Sequence, residues 1–256
     1  MSISAAHSPL VNPPPDFESP ASRPAEAFAT THWSMVMRAG DSQSPEAARA
    51  MERLCRTYWY PLYAFVRRRG YSHEDGADLT QGFFARFLEK HYLRSVDANL
   101  GKFRTFLLTS MSHFMANARD RDRMQKRGGG HQVISLDEMG ADERYQLEPA
   151  DPVTPEQLYD RQWAETVIGV VLDRLAEETE EKRFGVLKAF LLHDQGAMSY
   201  EDAAGQLGVG VAAVTSAIHR MRARFRALLF EEVAHTVGAP EEVEPEIRHL
   251  LASLAD

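Results

Sequence analysis

The segment 199–226 constrains the fold of this chain more than any other part of the sequence. Ser199 begins a short helix, Gly208 interrupts it, and Val211 begins a longer second helix. Serine suits the N-cap of a helix, and glycine suits the left-handed turn that ends one. The predicted inward positions are Ala203, Leu207, Val214 and Ile218. This pattern predicts a helix-turn-helix in which a small alanine lets the two helices approach closely.

The outward face of the second helix combines small and cationic side chains. Its members are Ala212, Ala213, Thr215, Ser216, His219, Arg220, Arg222 and Arg224. Small residues near the helix start allow that end to enter a DNA major groove, while arginines reach phosphates or guanine edges. A solvated helical hairpin inside a bundle is the alternative, but clustered arginine without acidic partners is unusual on an ordinary helix face. The face therefore predicts DNA binding.

Helical periodicity continues through the rest of the chain, and no β pattern competes with it. We predict an all-α fold of two small helical domains joined by an acidic linker, the second a helix-turn-helix domain without a wing. The predicted parts are a flexible N-terminal tail over 1–30, a helical domain over 31–127, the linker over 128–153, the second domain over 154–230 and a C-terminal extension over 231–256.

Local signals place the ends of the helices. Pro61 is expected to restart the first helix, because proline has no amide hydrogen and clashes with the preceding turn. The other expected ends are Pro45 and Gly70 for the first helix, Ser72 and Lys90 for the second, and a Thr154–Gln157 capping box for the first helix of the second domain. Pro240 is expected to begin a last helix with Val243, Ile247, Leu250, Leu251 and Leu254 on its packing face.

Composition excludes several classes of site. The single cysteine, Cys55, rules out a disulfide or a thiolate-rich zinc site within one chain, and the ten histidines lack metal-ligand spacing. No phosphate loop, nucleophile elbow or acid–base pair is visible, so we expect no metal, no cofactor and no enzymatic activity. No apolar run reaches the length of a membrane span, and residues 1–20 do not resemble a secretion signal. The expected compartment is the cytoplasm.

The charge distribution is informative although the formal net charge is −8. Basic residues cluster at 119–127 and 219–226, whereas acidic residues fill 137–160 and 231–246. Phosphate contact depends on a local basic surface more than on the total charge. The acidic total is therefore compatible with a nucleic-acid partner.

The segment 199–209, with the sequence SYEDAAGQLGV, followed by HRMR at 219–222, resembles the fourth conserved region of extracytoplasmic-function sigma factors of the sigma-70 family. The resemblance implies that the helix-turn-helix recognises the −35 promoter element.

Residues 75–88, with the sequence DGADLTQGFFARFL, resemble the second conserved region of the same family. The resemblance implies that Asp78, Leu79 and Gln81 bind the coiled coil of the polymerase β′ subunit. Gly82 stands where the family usually has an acidic residue, and it costs about 1 kcal/mol of helix stability relative to alanine. It either permits a closer helix approach or weakens the contact. A plain amphipathic core helix is the alternative interpretation of this segment.

Residues 99–127 resemble the promoter-melting segment of that family. The resemblance assigns contacts with the −10 element to Asn99, Lys102, Phe103, Arg104, Arg119 and Arg121. Capturing one unpaired base returns about 1–3 kcal/mol, which polymerase contacts must supplement to cover the cost of unstacking. A helix that frays into a solvated basic tail is the alternative for 119–127.

These features predict a sigma factor that binds core RNA polymerase through its β′ and β subunits and directs promoter recognition and DNA melting. Promoter DNA is the second expected partner, an anti-sigma factor is a further candidate, and no membrane insertion is expected. Two alternatives stay open: a stand-alone helix-turn-helix regulator, and a helical adaptor that binds only protein. The C-terminal extension is expected to fold back on one of the two modules.

Overall fold

The computed structural model describes residues 45–88, 102–124, 140–148, 153–191 and 198–255. These residues form helices and turns and no strand, which confirms the predicted all-α fold. The α-helices of the described ranges are α1 (Pro45–Arg68), α2 (His73–Leu88), α3 (Phe103–Met124), α4 (Ala141–Gln146), α5 (Pro155–Glu177), α6 (Glu181–Leu187), α7 (Tyr200–Leu207), α8 (Val211–Ala234) and α9 (Val243–Ser253). A 3₁₀ turn follows α6 at Lys188–Phe190, and another precedes α9 at Pro240–Glu242.

Helix α1 runs without interruption through Pro61, so the predicted restart at this proline is wrong. Proline inside a helix removes one backbone hydrogen bond and costs about 3 kcal/mol. The side chains of Tyr58, Leu62 and Phe65 are fully buried along one face of this helix. Their burial, at about 1.5–3 kcal/mol for a large apolar side chain, offsets the cost of the proline.

The core of the molecule lies between α1 and α5. These helices pack along each other, and α5 also contacts α8 and α9. The indole N–H of Trp163 donates to the hydroxyl of Tyr58 at 3.1 Å, and both rings are fully buried. Buried side chains from both predicted domains therefore belong to one connected core. The predicted domain limits stay a prediction.

Part of the predicted linker is a short helix that packs on the core. Helix α4 follows Gly140, whose φ of 92° is left-handed, and it begins with the buried Ala141. Asp142 forms an ion pair with Arg67 of α1. The guanidinium of Arg144 lies 3.7 Å from the ring centre of Tyr60. This part of the acidic segment is thus held against α1, whereas 128–139 lies outside the described residues.

The caps predicted at Ser72, Thr154 and Gly70 are confirmed. Thr154 and Gln157 form a capping box at the start of α5, and Ser72 Oγ accepts the amide of Asp75 at 3.1 Å at the start of α2. Gly70 adopts a left-handed φ of 92° after α1. The end predicted for α2 at Lys90 lies outside the described residues, and the described helix extends to Leu88.

Helix α9 folds back on α5 and α8, as the stripe in its sequence predicts. Val243, Ile247 and Leu250 are buried, but Leu251 and Leu254 are 45% and 36% exposed. The buried residues follow the i, i+4, i+7 spacing of one narrow helix face. Leu251 and Leu254 lie at the edge of that face. The fourth inward position is a carboxylate, Glu246, which the apolar pattern did not reveal.

Candidate nucleic-acid interface

Helices α7 and α8 form the helix-turn-helix. Ser199 Oγ accepts the amide of Asp202 at 3.0 Å, and the Asp202 carboxylate accepts the amide of Ser199 at 3.4 Å. Gly208 ends α7 with a left-handed φ of 66°. Ala203 is fully buried between the helices, as are Val214 and Ile218 of α8, whereas Leu207 is half-buried. The sequence pattern therefore predicted the inward positions of this motif.

The first half of α8 presents a continuous exposed surface, which we call the recognition face. Its members are Ala212, Ala213, Thr215, Ser216, His219 and Arg220, all of which are exposed. Val209 and Val211, 46% and 41% exposed, extend it into the turn, and sequence reasoning missed them. Apolar side chains at such a position can contact a thymine methyl group. The recognition face thus offers small, hydroxyl, imidazole, guanidinium and apolar groups to one partner.

Arg222 lies beyond the recognition face and is half-buried. Its Nε and Nη2 atoms donate to the carbonyl oxygen of Phe190 at 3.0 and 2.7 Å. Phe190 is the last residue of the 3₁₀ turn after α6, so these hydrogen bonds attach that turn to α8. The predicted phosphate contact of Arg222 stays a prediction, and the structure adds an internal role.

Arg224 has two acidic partners in the folded protein. Its guanidinium donates to both carboxylate oxygens of Glu178 at 2.6 Å, and Glu231 lies 3.7 Å away. The hydrogen bonds from Arg224 lower the pKa of the Glu178 carboxyl, and those same bonds raise the pKa of Arg224. Sequence reasoning missed this pairing because Glu178 follows α5, far away along the chain.

The residues predicted to bind polymerase lie together on α2. Asp78 is exposed, while Leu79 and Gln81 are half-buried, and Leu79 packs against the core. The three phenylalanines predicted to pack, Phe83, Phe84 and Phe87, are almost fully buried. Helix α2 thus separates a polar outer surface from an aromatic inner one.

Gly82 does not provide space for a close helix approach. A Cβ atom at this position would lie 3.5 Å from Phe114 Cζ of α3, which is ordinary van der Waals contact. The structure therefore accommodates a side chain here. The sequence left two explanations for Gly82, a closer helix approach or a weaker polymerase contact. The packing of α2 against α3 does not require a glycine.

The start of α3 contacts α1, α5 and the segment that follows α8. The backbone amide of Phe103 donates to the carbonyl of Thr236 after α8 at 3.0 Å, and the hydroxyl of Tyr159 in α5 donates to the carbonyl of Arg104 at 3.0 Å. The ring of Phe103 is 1% exposed and meets Tyr58 edge-on. Phe103 therefore acts in packing within this structure.

The two cations predicted to meet DNA beside Phe103 are engaged by carboxylates. Arg104 donates to Glu246 of α9 at 2.5 Å and to Asp160 of α5 at 2.7 Å, and Lys102 Nζ lies 2.6 Å from Glu246. Burial acts to lower the pKa of Arg104, but the hydrogen bond and charge of Glu246 and the charge of Asp160 raise it above its ordinary value. His249 adds a contact of 3.0 Å to Asp160.

The remaining predicted DNA contacts are separate from this cluster. Arg119 of α3 is exposed and donates to the hydroxyl of Tyr71 at 2.7 Å. Arg121 belongs to α3, but its side chain lies outside the described residues, as does all of Asn99. The DNA roles of these residues stay predictions.

Other chemistry has little support in the described ranges. They contain no group of three metal-ligating side chains, and none of their helices is long and apolar enough to cross a membrane. Cys55 is buried, and burial raises the pKa of its thiol to about 12. A thiol with this pKa is not a nucleophile near neutral pH.

Comparison with known families identifies the helix-turn-helix. The family model for sigma-70, region 4 matches residues 187–225, which include α7 and α8 through Phe225. The match supports a sigma-70 family relationship and a sigma-factor or helix-turn-helix DNA-binding role. Searches of curated proteins and of solved structures found no match.

Proposed function

We propose that this protein is a sigma factor of the extracytoplasmic-function type, which binds core RNA polymerase and directs promoter recognition and DNA melting. The observation that carries the proposal is the coincidence of the region 4 match with a helix-turn-helix whose recognition face is exposed. A first helical module with the polar Asp78 on an exposed surface precedes it in the chain. Promoter DNA and the β′ and β subunits are the proposed partners, in the cytoplasm.

The residues divide into three proposed roles. Asp78, Leu79 and Gln81 bind the β′ coiled coil. The N-terminal segment and body of α3 act at the −10 element. The recognition face reads the −35 element, because the first turns of a recognition helix reach base edges in the major groove. The later arginines lie where such a helix passes the phosphate backbone. An anti-sigma factor is a further proposed partner.

A binding titration with core polymerase tests the proposal. Labelled full-length protein is titrated with core enzyme, and saturable binding at a ratio of one to one is expected. A stand-alone regulator instead binds duplex DNA as a dimer and ignores core enzyme, and a helical adaptor binds neither core enzyme nor DNA. Absence of binding to core polymerase from the source organism would overturn the assignment.

A further inference from the structure

Glu246 is a buried carboxylate with a specific position. Its side chain is 1% exposed, and it accepts from Arg104 and faces Lys102 at the start of α3. A buried charge is costly unless it is paired, so a glutamate on the inner side of α9 requires those cations. Lys102 and Arg104 are the same side chains for which a phosphate partner is proposed.

Two carboxylates take guanidinium donors of Arg104 that a phosphate would need, because Nε donates to Glu246 and Nη1 to Asp160. The Arg104 side chain is only 11% exposed, with Glu246 on one side and Asp160 on the other. Lys102 keeps 28% exposure, and its ammonium is also directed to Glu246. A DNA phosphate can take the Nε donor of Arg104 only after the Glu246 carboxylate has moved away. In this structure Glu246 of α9 therefore pairs with both cations of the segment 102–104.

The distance between the promoter elements supports the same conclusion, given the proposed function. Elements centred near −10 and −35 are separated by about 85 Å at ~3.4 Å per base pair. A compact chain of 256 residues has a radius of gyration of roughly 18 Å and a diameter of about 47 Å. Helix α1 of the first module packs directly on α5 of the second, so the two modules lie side by side in the described arrangement. This arrangement is shorter than the distance between the −10 and −35 elements and cannot contact both at once.

We propose that α9 is an internal acidic lock: its Glu246 holds Lys102 and Arg104 in place of DNA phosphates, and release of α9 exposes them to single-stranded DNA. This inference rests on the proposed function and adds the regulation of the same site. The lock couples α9 to the first helical module, since α9 packs on α5 and α8 while its carboxylate contacts the start of α3. The recognition face of α8 remains accessible in the locked state.

A charge-neutral variant tests the lock. Glu246→Gln removes the carboxylate charge and keeps the size of the side chain, while Glu241→Gln makes the same change at an exposed carboxylate just before α9. The probe is a fluorescein-labelled, 20-nucleotide single-stranded DNA of mixed sequence, measured by anisotropy with the full-length protein. We expect Glu246→Gln to bind at least fivefold more tightly than the original protein, and Glu241→Gln to stay within twofold of it. Equal affinities for the two folded variants overturn the lock.

Hydrogen exchange provides a second test if Glu246→Gln does not fold. The amides of Val243–Ser253 in the unmodified protein are compared with and without a saturating amount of the same oligonucleotide. The lock predicts faster exchange in this helix when DNA is bound, and unchanged exchange overturns it. Both measurements omit polymerase. If both measurements give the expected result but the protein does not bind core enzyme, the lock is supported and the sigma-factor assignment is wrong.

Discussion

The guanidinium of Arg224 and the carboxylate of Glu178 form a two-point ion pair between α8 and the end of α5, with both N–O distances at 2.6 Å. Both side chains are 41% exposed. Exposed ion pairs contribute only about 0.2–1 kcal/mol to stability. A DNA phosphate can therefore replace Glu178 as the partner of Arg224 at little cost.

This relationship predicts two kinds of DNA contact on α8. Arg224→Ala should weaken duplex binding almost equally for all sequences and reduce the salt slope by about one unit, because it removes one phosphate contact. Ser216→Ala or Arg220→Ala should cost about 1–3 kcal/mol at one base position, because both side chains lie on the recognition face. The measurement is a salt titration of the full-length protein against a panel of −35 variants.

Glu178→Gln is the matched control for this prediction. It removes the closer of the two acidic partners of Arg224 and leaves Glu231 and the rest of α8 unchanged, so affinity should rise slightly for every sequence and base preference should not change. The division between base and phosphate contacts is wrong if Arg224→Ala changes base preference while Ser216→Ala and Arg220→Ala leave it intact.

The polar surface of α2 predicts the effect of removing its hydrogen-bonding groups. The double variant Asp78→Ala, Gln81→Ala should weaken binding to core polymerase at least tenfold, because the proposed contacts to β′ are lost. Asp173→Ala, an exposed carboxylate on α5, should bind like the original protein. Fluorescence titration with core enzyme measures the affinities, and circular dichroism checks that helical content is unchanged. Unaltered affinity in the double variant contradicts the assignment of this surface.

The space beside Gly82 predicts a stabilising substitution. Gly82→Ala should raise the free energy of unfolding by up to about 1 kcal/mol, because alanine has the higher helix propensity and its Cβ meets Phe114 at an ordinary distance. Gly208→Ala should lower it, because φ is left-handed at that position. Urea unfolding measures both variants. Destabilisation by Gly82→Ala would show that α2 and α3 pack more closely than the described distance.

Glu232 predicts a pH dependence of stability. This residue of α8 is 5% exposed and pairs with Arg53 and, at 3.6 Å, with Arg174. Burial raises the pKa of its carboxyl above the ordinary value of 4.5, against the opposing effect of the two arginines. The folded state therefore holds this proton more tightly than the unfolded state, so the contribution of Glu232 to stability is present at low pH and declines as the pH rises above about 4.5.

Two glutamine variants separate this effect from the other carboxylates. The difference in free energy of unfolding, Glu232→Gln minus the original protein, should increase as the pH rises above about 4.5. Glu178→Gln should show the opposite trend, because the pKa of Glu178 is lowered and its contribution is lost as the pH falls. Urea unfolding over a pH series measures both. Parallel profiles for Glu232→Gln and the original protein would contradict the role of burial at Glu232.

Local signals in the sequence predicted the elements that depend on a few neighbouring residues. The caps at Ser199 and Thr154 and the left-handed glycine at 208 follow from hydrogen bonds within one turn. The exposed recognition face follows from the helical period of α8. These features require no knowledge of which helices meet.

Contacts between distant segments were not predictable in the same way. The pairing of Arg104 with Glu246 joins residues 142 positions apart, and no periodic pattern connects them. Continuity of α1 through Pro61 depends on burial against α5, which local propensity does not contain. The pairing of Arg224 with Glu178 has no local signal either, because Glu178 becomes a neighbour of the arginine cluster only when α5 and α8 pack together.

The most direct test of the proposed function is run-off transcription with core polymerase. Purified protein and core enzyme are incubated with fragmented genomic DNA from the source organism, and the transcripts are sequenced. A sigma factor should give discrete start sites that appear only when both components are present, share a −35 motif and disappear with Asp78→Ala, Gln81→Ala. Transcripts that are identical with and without the protein would contradict the proposed function.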